Sequence, residues 1–311
     1  MSISKIRIWF RAIRPFAYPA SIVPVMLGIT VAWSEGFTLN YRMAILTIIG
    51  TLFAHTGGNL ISDYFDFKRG IDRDGALGGS GVLLEKLLSP RDILIASAVS
   101  FFIAGVVAHY IILQIGIKLV WLVAGGFIAG LLYSVPPFGF KYGALGELLV
   151  FVTFGVGITV GSYVVQAGGY SLLPVWYSIP FGLLVAAILH VNNIRDVETD
   201  VQVGVTTLAG MIGPDRSRII YAGFVIFAYV SLLFFIISGK IVVGSIAAIF
   251  TLPMAIGLVL KVWQEPHLSG EECLLMDAKT AKLALLFGLF MIVGIVVWEY
   301  LFFRSPILES L

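Results

Sequence analysis

Charge is what this sequence has least of. Only 12% of its 311 residues are Asp, Glu, Lys or Arg, while 59% are hydrophobic. A soluble domain carries about 25% charged residues, because its surface must face water. Mean hydropathy is +0.99, and a water-facing globular surface is excluded. The single cysteine, Cys273, rules out an internal disulfide. A net charge of only +2, without a long basic block, gives no ground for a nucleic-acid partner. The first residues also lack the form of a signal peptide. Their basic residues interleave with apolar ones, and Pro15, Pro19 and Pro24 punctuate the next apolar run.

Long apolar runs fill the space that charge leaves. Residues 93–113, 148–166 and 219–238 are each near the ~20 residues a helix needs to cross the hydrocarbon core. Reading such runs against loop signals predicts nine spans, at 16–33, 42–62, 93–113, 119–134, 145–166, 174–194, 218–238, 241–262 and 282–303. The expected fold class is an all-α membrane protein with nine transmembrane helices in a single bundle, one polytopic domain over residues 1–311. Within 1–14, Ile6, Trp9, Phe10 and Ile13 share one helical face, and Arg7, Arg11 and Arg14 share the other. That pattern suits an amphipathic segment lying in the membrane interface; a short frayed tail is the alternative.

Charge also predicts orientation. With the N-terminus inside, 16 of the 20 basic residues fall on the inner side; only Arg42, Lys118, Lys240 and Arg304 fall outside. By the positive-inside rule the N-terminus is cytoplasmic and the C-terminus is out. All nine aspartates lie on the same inner side: Asp63, Asp66, Asp72, Asp74, Asp92, Asp196, Asp200, Asp215 and Asp277. The sequence therefore predicts an integral protein of the cell membrane whose chemistry faces the cytoplasm.

Two acidic segments stand out. Asn59-Leu-Ile-Ser-Asp63-Tyr-Phe-Asp66 leaves the second span, and Asn192-Asn193-Ile-Arg195-Asp196-Val-Glu198-Thr-Asp200 leaves the sixth. Both begin Asn-x3-Asp and reach another Asp within four residues. Residues three and four apart share a helical face. Asn59, Asp63 and Asp66 would then line one face, and Asn192, Asp196 and Asp200 another. Two carboxylate faces brought together make an oxygen-rich cage. Mg²⁺ takes such ligands, typically a few carboxylates plus substrate phosphates, and it neutralises the charge that develops when a diphosphate departs. The plain alternative is a solvated helix end. Four aspartates in two matching frames weigh against it, given the cost of polar groups near the membrane.

These paired motifs resemble those of the UbiA family of intramembrane prenyltransferases. The stretch 192–209 is especially similar to the branch that prenylates dihydroxynaphthoate for menaquinone. Arg14-Pro15, Ser21 and Pro24-Val25 resemble the family's start, and Tyr133, Pro136-Pro137, Lys141-Tyr142 and Gly146-Glu147 resemble its loop between the fourth and fifth spans. The resemblance implies a UbiA-like bundle around a central cavity, with Asp63, Asp66, Asp196 and Asp200 holding Mg²⁺. It also implies a polyprenyl diphosphate donor and an aromatic acceptor such as 1,4-dihydroxy-2-naphthoate. Other acceptors within the family's range are 4-hydroxybenzoate, homogentisate and geranylgeranylglyceryl phosphate. Phe67 stands where many members carry the last Asp of the first motif, and Val205 where a Lys commonly follows the glycine. The second departure bears on one diphosphate contact, not on the metal ligands.

Asn59, Asn192 and Asn193 complete the motifs as substrate-binding candidates. Lys68, Arg69, Arg195 and Lys141 are candidates to hold diphosphate oxygens, since Arg and Lys are favoured phosphate partners; simple positive-inside anchoring explains Lys68 and Arg69 equally well. Tyr133 and Lys141 rest mainly on the resemblance. His55 and His190 read as satisfied interior histidines rather than metal ligands, because His109 and His267 are scattered elsewhere. Tyr163 and Gln166 share a face that fits either an aromatic substrate or helix packing. A cation-coupled transporter is the rival from another class, but its ionisable residues would sit near the bilayer midplane rather than at one surface.

Overall fold

The structure is a computed structural model and describes residues 4–71, 79–264 and 275–302. Asp72, Arg73, Asp74, His267, Cys273 and Arg304 lie outside the described residues. The elements are α1 (Lys5–Ile13), α2 (Pro19–Ser34), α3 (Tyr41–Lys68), α4 (Pro90–Ile115), α5 (Val120–Ser134), α6 (Gly146–Val150), α7 (Ile158–Ala167), α8 (Leu173–Gln202), α9 (Leu208–Ile212), α10 (Pro214–Ile237), α11 (Leu252–Gln264) and α12 (Met276–Phe302). A π-helical stretch, Phe151–Gly157, fuses α6 and α7 into one span, and 3-10 turns at Val243–Thr251 lead into α11. No strand occurs among the described residues.

Among the described residues, eight helical spans are long and apolar enough to cross a membrane, and α1 with α2 makes a ninth if that pair, bent by 49°, is one span. They correspond one for one to the nine runs expected from the sequence. Their ends obey local chemistry. Asn40 accepts the Met43 amide at 3.1 Å to start α3, and Ser89 with Asp92 forms a reciprocal cap at α4, where Pro90 takes the first turn.

Two helices overshoot. At 1.5 Å per residue, the 28 residues of α3 and the 30 of α8 reach ~42 and ~45 Å, beyond the ~30 Å hydrocarbon core. The last turns of both helices carry the two acidic motifs. α8 is also central, with 67% of its span buried, and α12 comes next with 50%. The outer helices keep apolar side chains such as Phe102, Trp121 and Phe250 exposed, as lipid-facing surfaces do.

The main core packs α2, α7, α8, α10 and α12 around Phe181, Leu184, Tyr221 and Phe287. A smaller cluster of Ala12, Leu60, Val82, Leu83 and Ile93 ties α1 and the segment before α4 over the end of α3. On α1, Ile6 and Phe10 stay exposed while Trp9 packs inward, so part of the expected apolar face has a protein partner.

Close approach depends on glycine where α8 passes the π-helical stretch. A Cβ on Gly155 would sit 2.6 Å from the Gly182 Cα, whereas one on Gly125 in α5 meets nothing within 4 Å. Gly155→Ala should destabilise the protein by about 1–3 kcal/mol through overpacking, seen as a lower melting temperature in detergent. Gly125→Ala should melt with the wild type.

Candidate active site

The inner ends of α3 and α8 face each other across the head of one large cavity, about 1040 Å³ in volume. Its head is polar: Asn59, Ser62 and Asp66 come from α3, Lys141 and Tyr142 from the α5–α6 loop, and Asn192, Asn193, Asp196 and Asp200 from α8. Arg14 and Asp277 also border it. Its body is largely apolar, lined by large side chains such as Phe101, Leu122, Phe127 and Phe181 and by a strip of small residues. Thr47, Gly50, Thr51, Ala54 and Gly58 run up α3 at helical spacing, facing Gly125, Gly126 and Gly130 of α5.

Asp66 is the anchor of the first motif. Lys141 Nζ pairs with its Oδ2, and Tyr142 donates its hydroxyl to Oδ1 at 2.8 Å. Lys141 also donates to Ser62. Burial, and then the Asp66 charge, push the Tyr142 hydroxyl well above its ordinary range, so it remains a donor. The Tyr142 carbonyl accepts the Thr206 amide at 3.0 Å. One loop thus touches both motif-bearing segments.

Asp63, one turn earlier, does not line the cavity. It is 1% exposed and pairs with Arg14 from the α1–α2 junction, while its Oδ2 is buried without a partner. Lys68 and Arg69 do not reach the cavity either. Both are exposed; Lys68 stands over the Tyr64 ring, and Arg69 over the outer face of the Tyr142 ring at 4.0 Å. Lys68 lies two residues past Asp66, which at 3.6 residues per turn is the opposite side of the helix.

On α8 the guanidinium of Arg195 is turned onto carboxylates rather than toward open space. Its Nε and Nη2 each donate to Asp196 at 2.7 Å, and Nη1 donates to Asp277 of α12 at 3.1 Å. Asp200 lies beyond the apolar span that ends at Glu198. Burial first, then the charge of Asp196, push its carboxyl up to about 6. Asp66 acts in the same direction from across the cavity. Tyr133 lines the cavity below this head.

The expected cage of four carboxylates is therefore not preassembled. Among the described residues, no three His, Cys, Asp or Glu side chains converge as a ready ligand set, because basic partners hold Asp63, Asp66 and Asp196. The donor set still fits a hard divalent cation. Asp66, Asp196 and Asp200 border one space, and the buried Asn192 Oδ1 there has no partner. Mg²⁺ prefers such oxygens.

The remaining candidates resolve by contact. His55 bonds Ser21 at 2.7 Å, and His190 bonds Glu147 at 2.8 Å. Tyr163 donates to Glu35, and Gln166 accepts the Asn40 amide at 2.8 Å; both pack helices and neither lines the cavity. Spacing alone does not reveal Arg14, Tyr142, Glu147 or Asp277, which join the site from distant segments. The only sequence signal for the first three was family resemblance in the short stretches around them.

An all-helical bundle of long apolar spans, with a cavity that is polar at one end, defines an integral membrane protein. The UbiA prenyltransferase family model matches residues 21–286, and this chain belongs to that family. It is 34% identical over 289 residues to UbiA prenyltransferase domain-containing protein 1 of Rattus norvegicus, covering 92% of this chain and 82% of the relative. The Homo sapiens protein of the same name is 32% identical, with the same coverage. Among solved structures, a UbiA homolog from Aeropyrum pernix K1 is similar with a TM-score of 0.70 at 16% identity, covering 90% of this chain and 98% of that one. A UbiA homolog from Archaeoglobus fulgidus bound to GPP and Mg²⁺ has a TM-score of 0.64 at 16% identity, covering 92% and 99%. At such identities these likenesses concern the fold.

Arg14 and Asp63 make a test of the buried head. Removing one partner of a buried pair strands the other charge and costs about 3–5 kcal/mol. Arg14→Met should therefore melt well below wild type, and Arg14→Met with Asp63→Leu should recover most of the loss. Arg11→Met, which breaks the exposed Arg11–Glu85 pair, should barely shift the melting temperature.

Proposed function

We propose that this chain transfers a polyprenyl group from a polyprenyl diphosphate to an aromatic acceptor, with 1,4-dihydroxy-2-naphthoate of menaquinone biosynthesis as the acceptor the sequence resembles most. The observation that carries the reading is the convergence of both acidic motifs on the polar head of an otherwise apolar cavity. The relatives' family and the A. fulgidus homolog's bound GPP and Mg²⁺ support it.

Asp66, Asp196 and Asp200 would hold Mg²⁺ from the cavity side, with Asp63 behind Arg14 as the fourth carboxylate. When bound, Mg²⁺ draws charge from the diphosphate and makes it a better leaving group. Lys141 is the basic side chain best placed to take a phosphate oxygen, and Arg195 would be a second one if Asp196 were engaged by a metal instead. Asn59, Asn192 and Asn193 supply neutral polar contacts around the same head. Tyr133 lines the same cavity and would contact the bound substrate. The glycine-lined body accepts the isoprenoid chain and excludes water from the allylic cation. The bond from C1 to the diphosphate oxygen breaks, and the acceptor ring carbon bonds to C1. With a carboxylated naphthoate that carbon loses its carboxylate as carbon dioxide, so product and pyrophosphate balance the reaction. A cation-coupled transporter accounts less well for carboxylates gathered at one end of the helices.

Purified protein given prenyl diphosphates and a panel of aromatic acceptors, with mass detection, should form the prenylated naphthoate; 4-hydroxybenzoate, homogentisate or geranylgeranylglyceryl phosphate products would redirect the acceptor. Excess chelator should abolish turnover and Mg²⁺ restore it. Asp66→Asn and Asp196→Asn should each lower the catalytic constant on the order of a hundredfold, with the fold retained, while Lys86→Gln stays near wild type. Folded, active Asp variants would sink the assignment.

We also propose that this head faces the cytoplasm, on the strength of the basic-residue asymmetry. A membrane-impermeant thiol reagent applied to intact cells should label Gly169→Cys and spare Arg91→Cys. The reverse pattern would invert the topology.

A further inference from the structure

Glu147 opens α6 and is only 3% exposed. Its Oε1 serves two partners, His190 Nδ1 at 2.8 Å and the donating Asn193 Nδ2 at 3.0 Å. Its Oε2 is buried without a partner. His190 is fully buried and donates from Nε2 to the Ser217 carbonyl at 3.0 Å, because a carbonyl oxygen can only accept. The imidazole is thus held at both nitrogens, and it fixes the carboxylate where α6, α8 and α10 meet.

Asn193 borders the cavity one turn before Asp196. A primary amide has two unlike ends, an NH2 that donates and an oxygen that accepts. A carboxylate accepts, so Glu147 takes the NH2 end and leaves Oδ1 turned the other way. That difference matters beside Asp196 and Asp200, since divalent cations bind oxygen and an NH2 group would repel them.

We infer that Glu147, held by His190, is a positioning residue that orients the Asn193 amide with its oxygen toward the cavity, so that the second motif offers a neutral oxygen to a divalent cation besides its carboxylates. The inference rests on the prenyltransferase reading above. Residues that orient a ligand from behind typically change metal affinity by 10–100-fold when replaced.

The test reads Mn²⁺ binding by electron paramagnetic resonance on the full-length protein in detergent, without substrate. Glu147→Gln keeps shape and volume. Without the carboxylate, the Nε2–H tautomer that the Ser217 carbonyl holds leaves Nδ1 as an acceptor; the glutamine NH2 turns to it, meets the Asn193 NH2 donor to donor and favours the flipped amide. Mn²⁺ should bind on the order of tenfold more weakly. Adding Asn193→Asp should restore binding, because a carboxylate presents oxygen whichever way it is turned. Asn193→Leu, which leaves Glu147 in place, should weaken Mn²⁺ as much as Glu147→Gln, and the two together should lose no more. Unchanged binding in Glu147→Gln, no rescue by Asn193→Asp, or additive losses would each overturn the inference alone. Wild type that binds no Mn²⁺, or Asp196→Asn that binds it as tightly as wild type, would overturn the parent reading.

Discussion

The structure depends on neutralising carboxylates at the end of an apolar bundle. A charge taken from water into low dielectric is costly unless a partner is supplied, and each partner here comes from another part of the chain. Arg14 covers Asp63, Lys141 and Tyr142 cover Asp66, and Arg195 ties Asp196 to Asp277. These pairs fasten the α1–α2 junction, the α5–α6 loop and the start of α12 to α3 and α8. The electrostatic demand of the motifs is thus also what closes the head of the bundle.

The same pairs bear on the proposed reaction. Each basic group that holds a carboxylate is one that a diphosphate would attract, and each carboxylate is one that a divalent cation would attract. On the proposed reading, a diphosphate and a divalent cation arriving together would exchange these partners without leaving any buried charge alone. Burial and the nearby Asp196 raise the Asp200 carboxyl in the same crowded head. The cavity body would serve the other half of the proposed substrate. Glycines along α5 and small residues along α3 leave room for a flexible apolar chain between helices whose outer faces meet lipid.

Most of the architecture was legible because a membrane helix announces itself by length. Each predicted run has its span, and the ends shift outward where caps or polar turns extend the helix past the apolar stretch, as at α3 and α8. The bend between α1 and α2 was less visible, since Pro15 and Pro19 signal a break without fixing its angle. The site was half legible. Spacing brought Asn59 and Asp66, and Asn192, Asp196 and Asp200, to faces that do line one cavity. It also put Asp63 on that face, but the structure buries its carboxylate against Arg14. Lys68, Arg69 and Arg195 carried the right charge for phosphate, yet two stand on aromatic rings and one is bound to carboxylates.

The sequence by itself determined the solvent of this protein, its helices, and the two segments that carry the acids, because hydrophobic length and i, i+4 spacing are properties of single segments. Only the tertiary structure decided which carboxylates face the cavity, which cations are already engaged, and that Glu147, His190 and Asn193 share one hydrogen-bonded cluster. Those outcomes depend on how helices far apart in sequence rotate against one another. A turn of about 100° per residue takes a side chain from the cavity to the core or to lipid, and no local pattern records that rotation.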